Sequence, residues 1–257
     1  MDVAQRQAEI VEMAKSQGRV GVDALVAHFG VTAQTIRKDL NDICENGLLK
    51  RVHGGAVFPS GVQNMQYEAR RQIAADEKDA IGAAAAQLIP NNASLFINIG
   101  TTTEAVSQAL LEHTGLMVIT NNINVANRMR VYPNFEVVIA GGIVRGSDGG
   151  VVGEAAVDFI KQFKVDFAVI GTSAIDEDGA LLDFDYREVK VAQAIIANAR
   201  HVILVSDSTK FDRTAPVRIA HLSQVDSFIT DRCPLESIRR ICAESDVELI
   251  ETSAPSR

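Results

Sequence analysis

Along the first 57 positions apolar residues recur at helical spacing in three short stretches, and the pattern then changes to alternation. Residues 4–16 place Ala8, Ile10 and Val11 near one face, and Gly18 breaks the run. Val22, Leu25, Val26 and Phe29 stand at i, i+3, i+4 and i+7, the single stripe of a second helix over 22–29. Gly30 ends that helix, Thr32 is a suitable N-cap, and a third helix runs over 33–46 until Gly47. Residues 48–52 then read as a strand, His53-Gly54-Gly55 as a turn, and 56–58 as the returning strand. Helix, helix, turn, helix and hairpin is the order of a winged helix-turn-helix. No apolar period holds over 58–75, which reads as a linker, and a helix resumes over 76–89 before Pro90-Asn91-Asn92.

From there short apolar runs at 94–99, 116–120, 135–140, 165–171, 201–206, 226–230 and 246–250 alternate with mostly helical segments. Runs that are apolar almost throughout suit a parallel sheet covered on both faces. The expected architecture is therefore α/β: an N-terminal winged helix-turn-helix over 1–57, a linker over 58–75, and a mostly parallel C-terminal domain over 76–257.

Composition narrows the class. The 257 residues are 47% hydrophobic and 23% charged, and no apolar run approaches the roughly 20 residues that span a bilayer. The start, Met1-Asp2-Val3-Ala4-Gln5, lacks the basic and apolar regions of a signal peptide. Cys44, Cys233 and Cys242 follow no metal-ligand spacing and give no disulfide framework, so the expectation is a cytoplasmic protein without metal. The net charge of −8 argues mildly against a nucleic-acid partner. Residues 1–57, however, hold seven Lys/Arg and seven Asp/Glu, so the acidity lies wholly in the remainder.

The third helix carries the N-terminal chemistry. Ile36, Leu40 and Ile43 form its apolar face, while Gln34, Arg37, Lys38 and Asn41 recur at i, i+3, i+4 and i+7 opposite. Arg pairs bidentately with guanine and Gln or Asn with adenine, so this face is suited to reading double-stranded DNA in the major groove. Thr32 and Thr35 at the helix start, and Lys50, Arg51 and His53 on the hairpin, are candidates for phosphate or methyl contacts.

In the second half, candidate ligand groups collect where strands end, which is where parallel sheets bind ligands. Gly100 precedes Thr101, Thr102 and Thr103 at a helix start, a suitable phosphate cradle. Thr120, Asn121 and Asn122 end a second strand, Gly141 and Gly142 a third, and a later one is followed by Asp207-Ser208-Thr209-Lys210. Thr101 with Glu104, and Asp185 with Glu188, also fit the spacing of helix capping boxes, which would account for them without a ligand.

The run Val31-Thr32-Ala33-Gln34-Thr35-Ile36-Arg37-Lys38-Asp39-Leu40, followed by Arg51-Val52-His53-Gly54-Gly55-Ala56, resembles the DeoR family of sugar-metabolism repressors. The resemblance extends over the whole chain. Residues 96–102, 120–127 and 182–189 resemble its glycerol-catabolic branch in particular. It implies a repressor rather than an enzyme, needing no cofactor, that binds operator DNA as a dimer or tetramer and is released by a phosphorylated metabolite. Glycerol 3-phosphate comes first, with another sugar phosphate as the alternative. The family's second domain is similar to sugar-phosphate isomerases and deaminases. On that likeness Gly100 to Thr103 would hold phosphate, Asp178, Glu188 and Lys190 would line the sugar side, and Lys210 would be the basic residue after the late strand. Two departures weigh against turnover, and so against a DNA-bound isomerase or deaminase. Ala180 follows Asp178-Gly179 where deaminases of this fold soon place a histidine, and Asn98 stands where relatives often carry aspartate.

Overall fold

The computed structural model describes residues 2–17, 19–52, 54–57 and 67–252. The chain forms two compact units, Met1–Ile73 and Ala74–Arg257.

In the first unit, helices α1 (Val3–Gln17), α2 (Val22–Phe29) and α3 (Ala33–Glu45) surround a small core. Strands β1 (Arg19–Gly21), β2 (Lys50–Val52) and β3 (Gly55–Val57) form an antiparallel sheet in the order β1-β3-β2. Ile10, Ala14, Leu25, Ile36, Leu40 and Ile43 are buried together. Gly30 takes φ 65°, and its N–H bonds the Val26 carbonyl, so α2 stops there. Gly55 is required by a close approach: a Cβ there would sit 2.0 Å from the Val20 carbonyl oxygen. Two expectations change. Ala8 is exposed, and the buried face of α1 runs through Arg6, Ile10 and Ala14. The three-residue β1 was not expected, being too short to show a period. The part of the expected linker that is described contains a helix, α4 (Tyr67–Gln72).

In the second unit α5 (Ala75–Gln87) leads into the sheet. There follow β4 (Ser94–Ile97), α6 (Thr101–Ala109), β5 (Met117–Thr120), α7 (Ile123–Met129) and β6 (Glu136–Ile139). A ribbon of β7 (Ile143–Val144) and β8 (Val151–Val152) precedes α8 (Glu154–Ile160) and β9 (Val165–Ile170). Next come β10 (Ala174–Ile175), β11 (Ala180–Asp183), α9 (Tyr186–Ala197), β12 (Ala199–Val205) and β13 (Val217–His221). The chain continues through β14 (Ser227–Thr230), α10 (Glu236–Glu244) and β15 (Glu248–Glu251). Seven strands make one parallel sheet in the order β15-β14-β12-β9-β4-β5-β6, and they are the seven expected from sequence.

Alternation distributes the sheet's side chains between two cores. Leu95, Ile97, Val118, Val169, Ile203 and Ile229 pack with Ile81, Ala85 and Val106 of α5 and α6. Phe96, Ile119, Ala168, Ile170, Leu204 and Phe228 pack with Ala156, Val189 and Ile238 of α8, α9 and α10. The period of two is therefore present but hidden, because both faces are apolar. The outermost strand departs from the expectation of two covered faces: Ile139 of β6 is 45% exposed. A three-stranded antiparallel sheet, β10-β11-β13, flanks the main one. Among the described residues no helix is long and apolar enough to cross a membrane. Cys44, Cys233 and Cys242 are free thiols, and burial pushes all three above the usual range.

Candidate functional site

On α3 the exposed face gathers Gln34, Arg37, Lys38 and Asn41, while Ile36, Leu40 and Ile43 face the core. Thr32 caps the helix: its Oγ1 accepts from the Thr35 N–H at 3.2 Å and lies 2.9 Å from the Thr35 hydroxyl. The capping role occupies part of both threonines' hydrogen-bonding capacity. Lys50 and Arg51 are exposed on β2, and Arg51 also donates to the Gly55 carbonyl of its own hairpin. His53 lies outside the described residues.

In the second unit β4 and β12, two of the four strands expected to end in ligand groups, flank β9. A Cβ at Gly171, after β9, would meet the Thr103 methyl at 3.6 Å and the Val205 carbonyl at 3.8 Å, so the ends of β4, β9 and β12 adjoin. Gly100 is the N-cap of α6 with φ 150° and ψ 149°, a conformation open chiefly to glycine. Thr103 donates to the Asn98 and Gly100 carbonyls at 2.7 and 2.8 Å, fixing the turn. Thr102 is buried and Thr101 half-buried at the same helix start. The expected Thr101–Glu104 capping box does not form. Glu104 Oε1 instead accepts from Asn122 Nδ2 at 3.1 Å and Asn124 Nδ2 at 3.0 Å, tying α6 to the start of α7.

The oxygens left over are more informative. Asn98 Oδ1, Asn121 Oδ1 and Asp207 Oδ2 are buried and have no hydrogen-bond partner among the described residues. They follow β4, β5 and β12. Buried polar atoms are ordinarily paired, and an exception calls for an explanation such as an absent ligand or water. Lys210 Nζ, on a largely buried side chain, stands 4.0 Å from Asp207 Oδ2. Thr120 and Asn122 serve the scaffold: Thr120 donates to the Ile97 carbonyl at 2.6 Å, and Asn122 caps α7. Gly141 and Gly142 follow β6 and are exposed.

Of the residues placed on the sugar side by resemblance, only Glu188 enters a buried cluster. Arg145, on the β7–β8 hairpin, reaches Asp148 at 2.7 and 2.8 Å, Glu188 at 2.6 Å and Asp185 at 3.1 Å. Burial, with the charges of Asp183 and Asp148, pushes the Glu188 carboxyl up to about 8 against the opposing pull of Arg145. Asp185 caps α9 through the Arg187 N–H; despite its partial burial, the bonds from Arg187 hold it down to about 2. The Asp185–Glu188 capping box is thus only half formed, because Glu188 turns to Arg145. Asp178 is exposed in the β10–β11 turn, where it caps the Ala180 N–H and pairs with Arg218 at 3.5 Å. Lys190 is exposed, its ammonium 5.1 Å from the Tyr186 ring centre, on a different face of α9 from Glu188. The structure does not bring these two into the cluster. Arg145 and Asp148 had no sequence signal, lying between two strands of two residues each, and Asp183 fell in a segment that carried the family resemblance without being singled out.

Residues 6–62 match the family described as the DeoR-like helix-turn-helix domain, and residues 73–232 match the DeoR C terminal sensor domain. The glycerol-3-phosphate regulon repressor of Escherichia coli (strain K12) is 47% identical over 97% of this chain and 99% of its own length. The protein of the same name from Haemophilus influenzae is 46% identical over 95% of each chain. The solved ribose 5-phosphate isomerase A of Methanocaldococcus jannaschii is 14% identical over 54% of this chain and 55% of its own, with a TM-score of 0.39.

Proposed function

The chain belongs to the DeoR family of helix-turn-helix repressors, and we propose that it represses a glycerol regulon and is released from its operator by glycerol 3-phosphate. The observation that carries the ligand half is the set of buried acceptors without a hydrogen-bond partner among the described residues, Asn98 Oδ1, Asn121 Oδ1 and Asp207 Oδ2, which follow β4, β5 and β12. A polyol phosphate supplies what such a site lacks. Its two free hydroxyls can donate to two of those oxygens, while its phosphate takes the backbone N–H groups at the start of α6, with Thr101, Thr102 and Lys210 alongside. On the DNA side Gln34, Arg37, Lys38 and Asn41 read base edges, and Thr32, Thr35, Lys50, Arg51 and His53 contact the backbone. A single winged helix covers one half-site, so the working repressor is a homo-oligomer. Release follows if the ligand binds the DNA-free arrangement more tightly than the DNA-bound one.

Thermal unfolding of the full chain with glycerol 3-phosphate, glycerol, inorganic phosphate and ribose 5-phosphate tests the ligand. A ligand held only by the folded state at a hundred times its Kd stabilises by about 2.7 kcal/mol, or about 5–10 °C for a domain of this size. Glycerol 3-phosphate is expected to give that shift, and glycerol or phosphate alone little of it. A shift with ribose 5-phosphate instead would replace the ligand, and no shift with either ester would remove the proposal.

A further inference from the structure

The first unit contains a buried ion pair that the DNA-reading face does not use. Arg6 of α1 and Asp39 of α3 are 7% and 2% exposed. Arg6 Nε donates to Asp39 Oδ2 at 2.6 Å and Nη2 to Oδ1 at 3.2 Å, a two-bond fork. Gln7, next along α1, reaches Asp39 at 3.5 Å and Asp42, nearly one turn further along α3, at 3.4 Å. Asp39 lies between Ile36, Leu40 and Ile43 on the inner side, so α3 is gripped by both apolar contacts and directional polar ones.

Stability alone does not account for this arrangement. Taking two charges out of water is costly, and well-packed apolar replacements of such pairs are often neutral or stabilising. What apolar contacts do not supply is direction. Ile and Leu side chains tolerate small rotations of a helix about its own axis, whereas a guanidinium fork on a carboxylate is planar and tolerates little. A rotation of about 20° carries side-chain tips, about 6 Å from the axis, by on the order of 2 Å. The window for a good hydrogen bond is about 0.5 Å wide. A looser α3 would still present positive charge to phosphate, but it would misplace Gln34, Arg37 and Asn41 against base edges.

We propose that the Arg6–Asp39 pair is a positioning device that sets the rotation of α3, so that it governs operator discrimination rather than affinity for DNA in general. The inference rests on α3 being the reading helix. Its test uses the full chain and a duplex that the wild-type chain itself enriches from a random pool, with Kd for that duplex and for scrambled DNA measured at one salt concentration. Arg6→Lys keeps the charge and the fold but loses the fork; the paired change Arg6→Met with Asp39→Leu removes both charges while filling the space. Arg6→Lys is expected to lower the ratio of scrambled to selected Kd at least fivefold, and the paired variant at least tenfold. Scrambled-DNA affinity and the far-ultraviolet dichroism should stay unchanged. A folded Arg6→Lys chain with wild-type discrimination overturns the proposal, whatever the paired variant does. Equal loss on both DNAs also overturns it, since that would make the pair merely structural. Failure of the wild-type chain to enrich any sequence would instead bring down the reading-helix assignment on which it rests.

Discussion

The cluster around Arg145 shows how much chemistry depends on single residues that lie far apart in sequence. Glu188 is buried near Asp183 and Asp148, and one guanidinium does not balance these carboxylates, so the carboxyl keeps its proton up to about pH 8. A protonated carboxyl still accepts from Arg145 through its carbonyl oxygen. Unfolded, the same group ionises near its ordinary value of 4.5. Between about pH 4.5 and 8 the folded chain therefore holds the proton that the unfolded chain has released, and Glu188 makes stability fall as pH rises. Glu188→Gln imitates the protonated form and removes that dependence. Its melting temperature relative to wild type is expected to climb from pH 5 to pH 8; a constant difference, or a falling one, would mean that Arg145 holds Glu188 ionised. None of this was legible in the sequence, where Glu188 was known by resemblance and Arg145 not at all. By contrast Asn121 stands directly at a strand end, and reading the strands was enough to find it, whereas Asn98 came from the comparison with relatives. Asp178 and Lys190 came by likeness alone, and their side chains bond to Arg218 and stack on Tyr186 instead.

At the scale of elements, legibility followed length and packing. The five inner strands of the parallel sheet were readable because a core buried on both faces demands apolar residues throughout. The β7–β8 ribbon and the β10-β11-β13 sheet were not, since two to five residues carry no period. The proposed ligand site turns on the start of α6. Gly100 holds φ 150° there, and a Cβ would stand 3.3 Å from the Thr103 hydroxyl that fixes the turn. Gly100→Ala therefore costs about 1–3 kcal/mol in backbone strain and should move the N–H groups of the cradle. The expected outcome is a folded chain whose melting temperature no longer responds to glycerol 3-phosphate, with operator affinity unaltered. A full wild-type response would take the phosphate away from α6.

Over the whole molecule, the division of charge matches the division of labour. The net charge of −8 belongs to the residues after 57, leaving the DNA-reading part neutral overall, with Arg37 and Lys38 on the outer face of α3 and Lys50 and Arg51 on the hairpin. Composition alone would have missed the nucleic-acid partner; helix order and the two faces of α3 carried it. Family membership and the unpartnered oxygens at the strand ends then make one claim together: a ligand bound in one unit changes DNA binding by the other. Linkage requires that such a ligand discriminate between the two states, and a coupling of 1–3 kcal/mol corresponds to about 5–150-fold in affinity. The direct test is fluorescence anisotropy of the selected duplex with the full chain at fixed salt, because phosphate contacts make affinity strongly salt-dependent. Titrated with glycerol 3-phosphate, the operator Kd is expected to rise by about tenfold or more, with glycerol leaving it unchanged. A chain that binds both the duplex and glycerol 3-phosphate, yet holds its operator equally tightly with and without the ester, would contradict the account.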